Sequence, residues 1–317
     1  MREDPLHPND HTFVTLLKAC GKLKDLQTAY HLHAQILKKG ILTRNAYVGT
    51  ALVDMYAKCG SLLKAREAFD SLPVQNVVSW NALIAGYTHG ERGIDALNCY
   101  HQMKIQGISP SAITYACILK ACASCGEAEQ GKVIHSEILR KGLLDSNQYI
   151  GNALVDMYAK CGLLSKAHQI FIELPDRDLV AWNALISGYA GLDYAEEAFK
   201  CLKQMRLDGI SPNAVTFVCI LNACSIITDF EKGIEIHSEI EQKELLKMSQ
   251  NLGNALVNMY AKYGMMEEAQ NVFDRLLIYD LSSWNSLVSG YARSGCEEKA
   301  LRCLNDIQIQ GFFPDAV

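Results

Sequence analysis

Two short patterns in the chain have residue types that can do chemistry. Cys122–Ala–Ser–Cys125 is a C-x-x-C pair, and His135–Ser–Glu137 and His237–Ser–Glu239 each read H-x-E. A structural zinc site built on the cysteines needs a second pair, or two histidines, to complete four ligands. A zinc deaminase takes one ligand and a general acid/base from H-x-E, and two more ligands from a downstream P-C-x-x-C. No P-C-x-x-C follows either histidine, and the positions 102 residues to either side of Cys125 hold Leu23 and Ile227, so that position is simply apolar. His31 and His33, at i and i+2, do not share a helix face and make a poor ligand pair. No phosphate-binding glycine loop and no nucleophile elbow occurs. The sequence therefore assembles no complete catalytic or metal constellation, and the expectation is a non-enzyme with no cofactor.

What positions these residues is a repeat. Trp80, Trp182 and Trp284 lie 102 residues apart, as do His33, His135 and His237, and Pro8, Pro110, Pro212 and Pro314. ALVDMYAKC at 51–59 recurs unchanged at 153–161 and returns as ALVNMYAKY at 255–263. Each long period divides again into three segments of helix A, turn, helix B. In each, apolar residues recur at i, i+3, i+4. In the second period these run 112–147, 148–178 and 179–213. A hairpin of two short helices cannot bury its apolar face alone, whereas stacked hairpins share one continuous core. The expected fold is thus all-α, a superhelical α-solenoid. Its expected organisation is a repeat tail at 1–9, triplets at 10–111, 112–213 and 214–315, and the start of a further repeat at 316–317. A chain that opens and closes inside a repeat reads as a slice of a longer array.

Composition agrees with this. The 317 residues are 49% hydrophobic and 21% charged, which excludes a disordered chain. Apolar runs such as 214–221 stay far below the ~18 residues of a membrane helix, so no membrane partner is expected. The net charge of −5 gives no blanket attraction to nucleic acid. The 12 cysteines sit within apolar helical patterns and read as small buried hydrophobes in a reducing compartment. Lys38–Lys39 and Arg140–Lys141 close the second helix of the long segments, where they serve either the helix dipole or contact with phosphates.

Segments such as VVSWNALIAGYTHGERGIDALNCYHQMKIQGISPS (77–111) resemble pentatricopeptide repeats of the plant-organelle type. The alternation of 36, 31 and 35 residues resembles the long, short and standard motifs of the PLS subclass. The W-x2-L-G-x2-Y pattern of tetratricopeptide repeats does not fit W-N-A-L-I-A-G-Y at 80–87. The resemblance implies sequence-specific binding of single-stranded RNA, one base per repeat, with no small-molecule substrate. It implies the targeting array of an organellar processing or C-to-U editing factor, in mitochondrion or chloroplast, working with other such factors. A catalytic deaminase domain would lie beyond Val317. In the family, the fifth residue of helix A and the last residue of the repeat choose the base. Here these pairs are Thr50/Asn76, Asn81/Ser111, Asn152/Asp178, Asn183/Asn213, Asn254/Asp280 and Asn285/Asp315. The second residue wedges between bases, a role that Tyr47, Val78, Tyr149 and Val180 fit and that Asn251 and Ser282 do not. Val14, Ala116 and Val218 at position five of the long repeats cannot hydrogen-bond a base edge and imply spacing rather than readout. The alternative expectation is a protein–protein scaffold without RNA affinity.

Overall fold

In the computed structural model, residues 8–144, 147–227, 230–247 and 249–311 are described. The expected repeat tail at 1–7, Asp315 and the expected start of a further repeat at 316–317 lie outside them. Among the described residues there are 19 α-helices, one short 3-10 turn and no strand. By internal contacts the chain forms two compact units, 1–161 and 162–317.

The first unit holds α1 (Asp10–Leu23), α2 (Leu26–Lys38), the short α3 (Ile41–Arg44), α4 (Ala46–Lys58) and α5 (Leu62–Asp70). It continues through α6 (Val77–His89), α7 (Gly93–Ile105), α8 (Ala112–Cys125), α9 (Ala128–Arg140) and α10 (Gln148–Lys160). The second holds α11 (Leu164–Glu173), α12 (Leu179–Gly191), α13 (Ala195–Leu207), α14 (Ala214–Cys224) and α15 (Phe230–Gln242). It ends with α16 (Gln250–Tyr263), α17 (Met266–Asp274), α18 (Leu281–Arg293) and α19 (Glu297–Ile309).

Each unit is a solenoid of helical hairpins. The A helices stack flank to flank, α1 on α4 on α6 on α8 on α10 in the first unit and α12 on α14 on α16 on α18 in the second. Within each unit A helices also pack on the B helix of their own hairpin, as α6 does on α7 and α18 on α19. The core is the seam between these layers, and the large buried side chains recur there: Phe13, Tyr56, Trp80 and Tyr115, then Trp182 and Phe217. Phe69 meets Trp80 edge-on with ring centroids 4.4 Å apart, and Phe273 meets Trp284 at 4.5 Å.

Start signals are local and repeated. The residue before each A helix is Asn, Ser or Asp, in extended backbone. Such side chains accept from the first free backbone N–H groups of the helix. Asn76, Ser111, Asn213 and Asp280 each form a full capping box with the third residue of the following helix, Ser79, Thr114, Thr216 and Ser283.

Candidate nucleic-acid interface

The second and fifth residues of an A helix are i and i+3, so they share a face beside the helix N-terminus. Position two is exposed in all nine A helices: His11, Tyr47, Val78, Ile113, Tyr149, Val180, Val215, Asn251 and Ser282. Tyr47 is 84% exposed and Tyr149 80%. Scattered exposed apolar residues are ordinary, but one repeated at a single helix position forms a row within each unit. Ile113 in the first unit and Val215 in the second, 64% and 55% exposed, extend their unit's row into the long repeats. Sequence reasoning passed over these two, although their register with Val78 and Val180 was visible.

Position five lies at the edge of the same row, and here the structure joins residues that are far apart in sequence. The Asn81 Nδ2 donates to the Ser111 Oγ at 3.1 Å, and Asn183 Nδ2 to Asn213 Oδ1 at 3.3 Å. Asn254 Nδ2 donates to Asp280 Oδ2 at 2.6 Å. In each case the partner is the last residue of the same repeat and caps the next A helix. These six side chains are half-buried, so each pair keeps one side open. Thr50 is half-buried, and the side-chain Oδ1 of Asn76 caps α6 by accepting from the N–H groups of Val78 and Ser79 at 2.9 and 3.0 Å. Asn152 is buried in the first unit, whereas Asp178 caps α12 in the second. Asn285 is half-buried.

An asparagine inside a helix is disfavoured for its tendency to bond nearby backbone. The fold supplies a reason for keeping it that the sequence did not show. Its amide ties one A helix to the capped start of the next. Two buried threonines complete the tie: Thr114 Oγ1 donates to Asn81 Oδ1 and Thr216 Oγ1 to Asn183 Oδ1, each at 2.6 Å. At Asn254 that place is taken by Gln250, whose Nε2 donates to Asn254 Oδ1 at 3.3 Å.

The residues that first suggested catalysis have packing roles. His33, His135 and His237 lie 2.9, 3.0 and 2.7 Å through Nδ1 from the hydroxyls of Tyr56, Tyr158 and Tyr260, the tyrosines of the recurring ALV(D/N)MYAK segment. Burial pushes the imidazoles of His33 and His237 below their ordinary value and favours the neutral ring. Glu137 is buried and accepts from Tyr115 at 2.7 Å, and from Tyr100 and Lys104 at 2.9 Å each. Burial acts to raise its carboxyl, but the hydrogen bonds from Lys104, Tyr115 and Tyr100 outweigh that and hold it at about 2. Burial also pushes the Cys122 thiol up to about 12 and favours its neutral, protonated form.

The second lysine of each basic pair, and Lys243 at the same position of the third long repeat, lies over an aromatic ring. Lys39, Lys141 and Lys243 sit over the rings of Phe13, Tyr115 and Phe217, with 5.3, 5.3 and 5.7 Å to the centroids. A cation over a ring face contributes roughly 0.5–1 kcal/mol at an exposed site. The second residue of each pair therefore has a structural place. Lys38 and Arg140 remain exposed at the helix ends.

Comparison with known proteins follows the repeats. The model described as PPR repeat family matches residues 75–124 and 177–225, and that described as PPR repeat matches 11–41, 50–77, 152–179, 254–279 and 282–312. A chloroplastic pentatricopeptide repeat-containing protein of Arabidopsis thaliana is 37% identical over 308 residues, covering 97% of this chain and 49% of the relative. A mitochondrial one from the same plant is 36% identical over 311 residues, covering 98% and 49%. The chain thus spans about half the length of these relatives. Among solved structures, the pentatricopeptide repeat protein PPR10 in complex with an 18-nt psaJ RNA element matches with a TM-score of 0.68 at 19% identity, over 99% of this chain and 52% of that one. Repeat by repeat, from 11 to 312, the chain belongs to the pentatricopeptide repeat family.

Proposed function

We propose that this array binds single-stranded RNA sequence-specifically, reading one base at each repeat with a polar fifth residue. The observation that carries the proposal is the repeated unit of exposed second residue, half-buried fifth-residue amide and cap residue. Single-stranded RNA exposes base faces and Watson–Crick edges to such a surface, and helical-repeat proteins read one base per repeat with two or three side chains. The exposed apolar residue offers a stacking or wedging face, and the amide and its cap offer donors and acceptors. The long repeats, with Val14, Ala116 and Val218 at position five, keep the spacing while His11, Ile113 and Val215 continue the row.

In this reading the 36-, 31- and 35-residue repeats are the long, short and standard motifs of the PLS subclass. The chain is the targeting part of an organellar RNA processing or C-to-U editing factor, in chloroplast or mitochondrion, and leaves catalysis to other parts or partners. PPR10, whose fold it shares, was crystallised with RNA, and relatives are named chloroplastic and mitochondrial.

In the family Thr with a final Asn reads adenine, Asn with Ser cytosine, Asn with Asp uracil and Asn with Asn either pyrimidine. With RNA running 5′ to 3′ along the chain, the repeats from 10 to 315 then spell N-A-C-N-U-Y-N-U-U, where Y is a pyrimidine and N any base. A carboxylate cap accepts from the ring N–H that uracil has and cytosine lacks. A well-made base contact is worth about 1–3 kcal/mol of discrimination, by analogy with bidentate contacts in DNA. The test is binding to this nonamer and its single-base variants at fixed salt. Asp178→Ser should move the fifth position from U toward C and leave the others unchanged. Equal affinity for every variant would favour a protein–protein scaffold.

A further inference from the structure

The two ends of an asparagine amide have the same shape and opposite hydrogen-bonding character. A base-reading amide is informative only if something fixes which end faces the base. In the repeat at 179–213 the hydrogen-bond network fixes it. The backbone N–H of Thr216, which can only donate, lies 3.0 Å from Asn213 Oδ1 and so identifies that atom as the carbonyl oxygen. The Asn183 atom 3.3 Å from the same oxygen must then be the amide nitrogen. Its other end is therefore Oδ1, and the Thr216 hydroxyl lies 2.6 Å from it.

That hydroxyl is itself committed. Thr216 is completely buried, and its Oγ1 accepts from the Asn213 backbone N–H at 3.1 Å. Its one hydrogen has two acceptors in reach, Asn183 Oδ1 at 2.6 Å and Asn213 Oδ1 at 3.1 Å, and the nearer one receives it. Asn183 is thus held at both ends, with one N–H and one lone pair left over. In the repeat at 77–111 the same positions are Asn81, Ser111 and Thr114, with Thr114 also fully buried and 2.6 Å from Asn81 Oδ1. Here the cap is a hydroxyl, able to donate or accept, so the clamp depends more on the threonine.

We infer that Thr216 and Thr114 are positioning residues for RNA readout: each belongs to the next repeat, contacts no base, and orients the reading amide of the repeat before it. This inference rests on the base-reading role proposed above. It adds a third specificity position, the third residue of the following A helix, to the fifth and last residues of the repeat.

The test is Thr216→Val, which keeps the shape and removes the hydroxyl, assayed on the nonamer and its variants at the sixth position. The wild-type array should prefer a pyrimidine over a purine there by about tenfold, a 1.4 kcal/mol difference. Thr216→Val should bring that ratio within about twofold, leave the uracil preference at the fifth position intact, and be rescued by Thr216→Ser. Thr114→Val, read at the third position, gives an independent second case should the first variant fold poorly. A Thr216→Val array that keeps the wild-type ratio, or that loses affinity equally at all positions, overturns the positioning role alone. A wild-type array indifferent to the sixth base overturns the readout, and the positioning role with it.

Discussion

Trp80 donates its indole N–H to Oε1 of Gln106 at 3.2 Å, linking the start of helix A to the end of helix B within one repeat. Trp284 and Gln310 repeat the contact at 3.4 Å. In the middle triplet the glutamine is replaced by Asp208, one methylene shorter and already accepting from Gln204 at 2.8 Å. The Trp182 Nε1 is buried without an acceptor. A buried donor left unpaired costs about 1–3 kcal/mol. Asp208→Gln should therefore stabilise the second unit by about 0.5–1.5 kcal/mol, a typical net gain for one hydrogen bond. Urea unfolding followed by tryptophan fluorescence measures this; a variant no more stable than wild type counts against the pairing.

Gly86 lies where α6 crosses α4, and a Cβ built on it would stand 2.5 Å from the Cβ of Ala57. Gly290 meets Ala261 in the same way at 2.8 Å. The neighbour is the first side-chain atom on a packed helix and has no rotamer to escape into, so the helices must part. Overpacking of this kind costs about 1–3 kcal/mol, more than the roughly 1 kcal/mol that alanine gains over glycine in a helix. Gly86→Ala should lower the thermal midpoint of the array, and circular dichroism melts provide the check. An unchanged or raised midpoint would mean that the A helices can spread freely.

The Glu137 site gives the middle triplet an acid-sensitive joint. Its carboxyl is held at about 2 in the fold against an ordinary value of 4.5, so the folded state binds this proton less readily than the unfolded chain. A depressed carboxyl contributes stability that is fully present above 4.5 and is lost as pH falls through about 2. Glu137→Gln removes the charge that Lys104, Tyr100 and Tyr115 address. It should be clearly less stable than wild type at pH 7, and the gap should close on acidification through that window. Unfolding curves at a series of pH values test this. A gap constant with pH would show that packing, not charge, holds the joint.

The helices were legible because their signals are local. Asn76 and Ser79, or Ser111 and Thr114, are three residues apart, and a cap, a turn glycine and a 3.6-residue apolar period suffice to place each A helix. The 102-residue step then carried each assignment along the chain. What the sequence left hidden lies across repeats. Asn81 reaches Thr114 and Tyr100 reaches Glu137 at separations of 33 and 37 residues, fixed only by how one hairpin seats on the next. By the family resemblance alone, the asparagine at position five serves only to choose a base. Its bond to the neighbouring cap shows that the same amide also joins repeats. Likewise Lys141 read equally well as a dipole partner or a phosphate ligand until its place over Tyr115 was visible.

The exposed tyrosines separate binding from stability more cleanly than the asparagines do. Substituting Asn81 or Asn254 breaks an inter-repeat tie as well as a base contact, so its effect on affinity is mixed with an effect on the fold. Tyr47 and Tyr149 at 84% and 80% exposure bury almost nothing in the free array. Their substitution by alanine should change stability by no more than about 0.5 kcal/mol, as for other exposed positions. If they stack on bases, each should contribute about 1–3 kcal/mol to RNA binding, the usual value of an aromatic–base contact. Tyr47→Ala and Tyr149→Ala should therefore each weaken binding of the nonamer by roughly 5- to 150-fold, using tenfold per 1.4 kcal/mol. Base preference at neighbouring repeats should persist, because stacking tolerates any base. Melting curves and titrations on the same preparations decide the matter: unchanged melting with unchanged affinity would remove the exposed row from the interface.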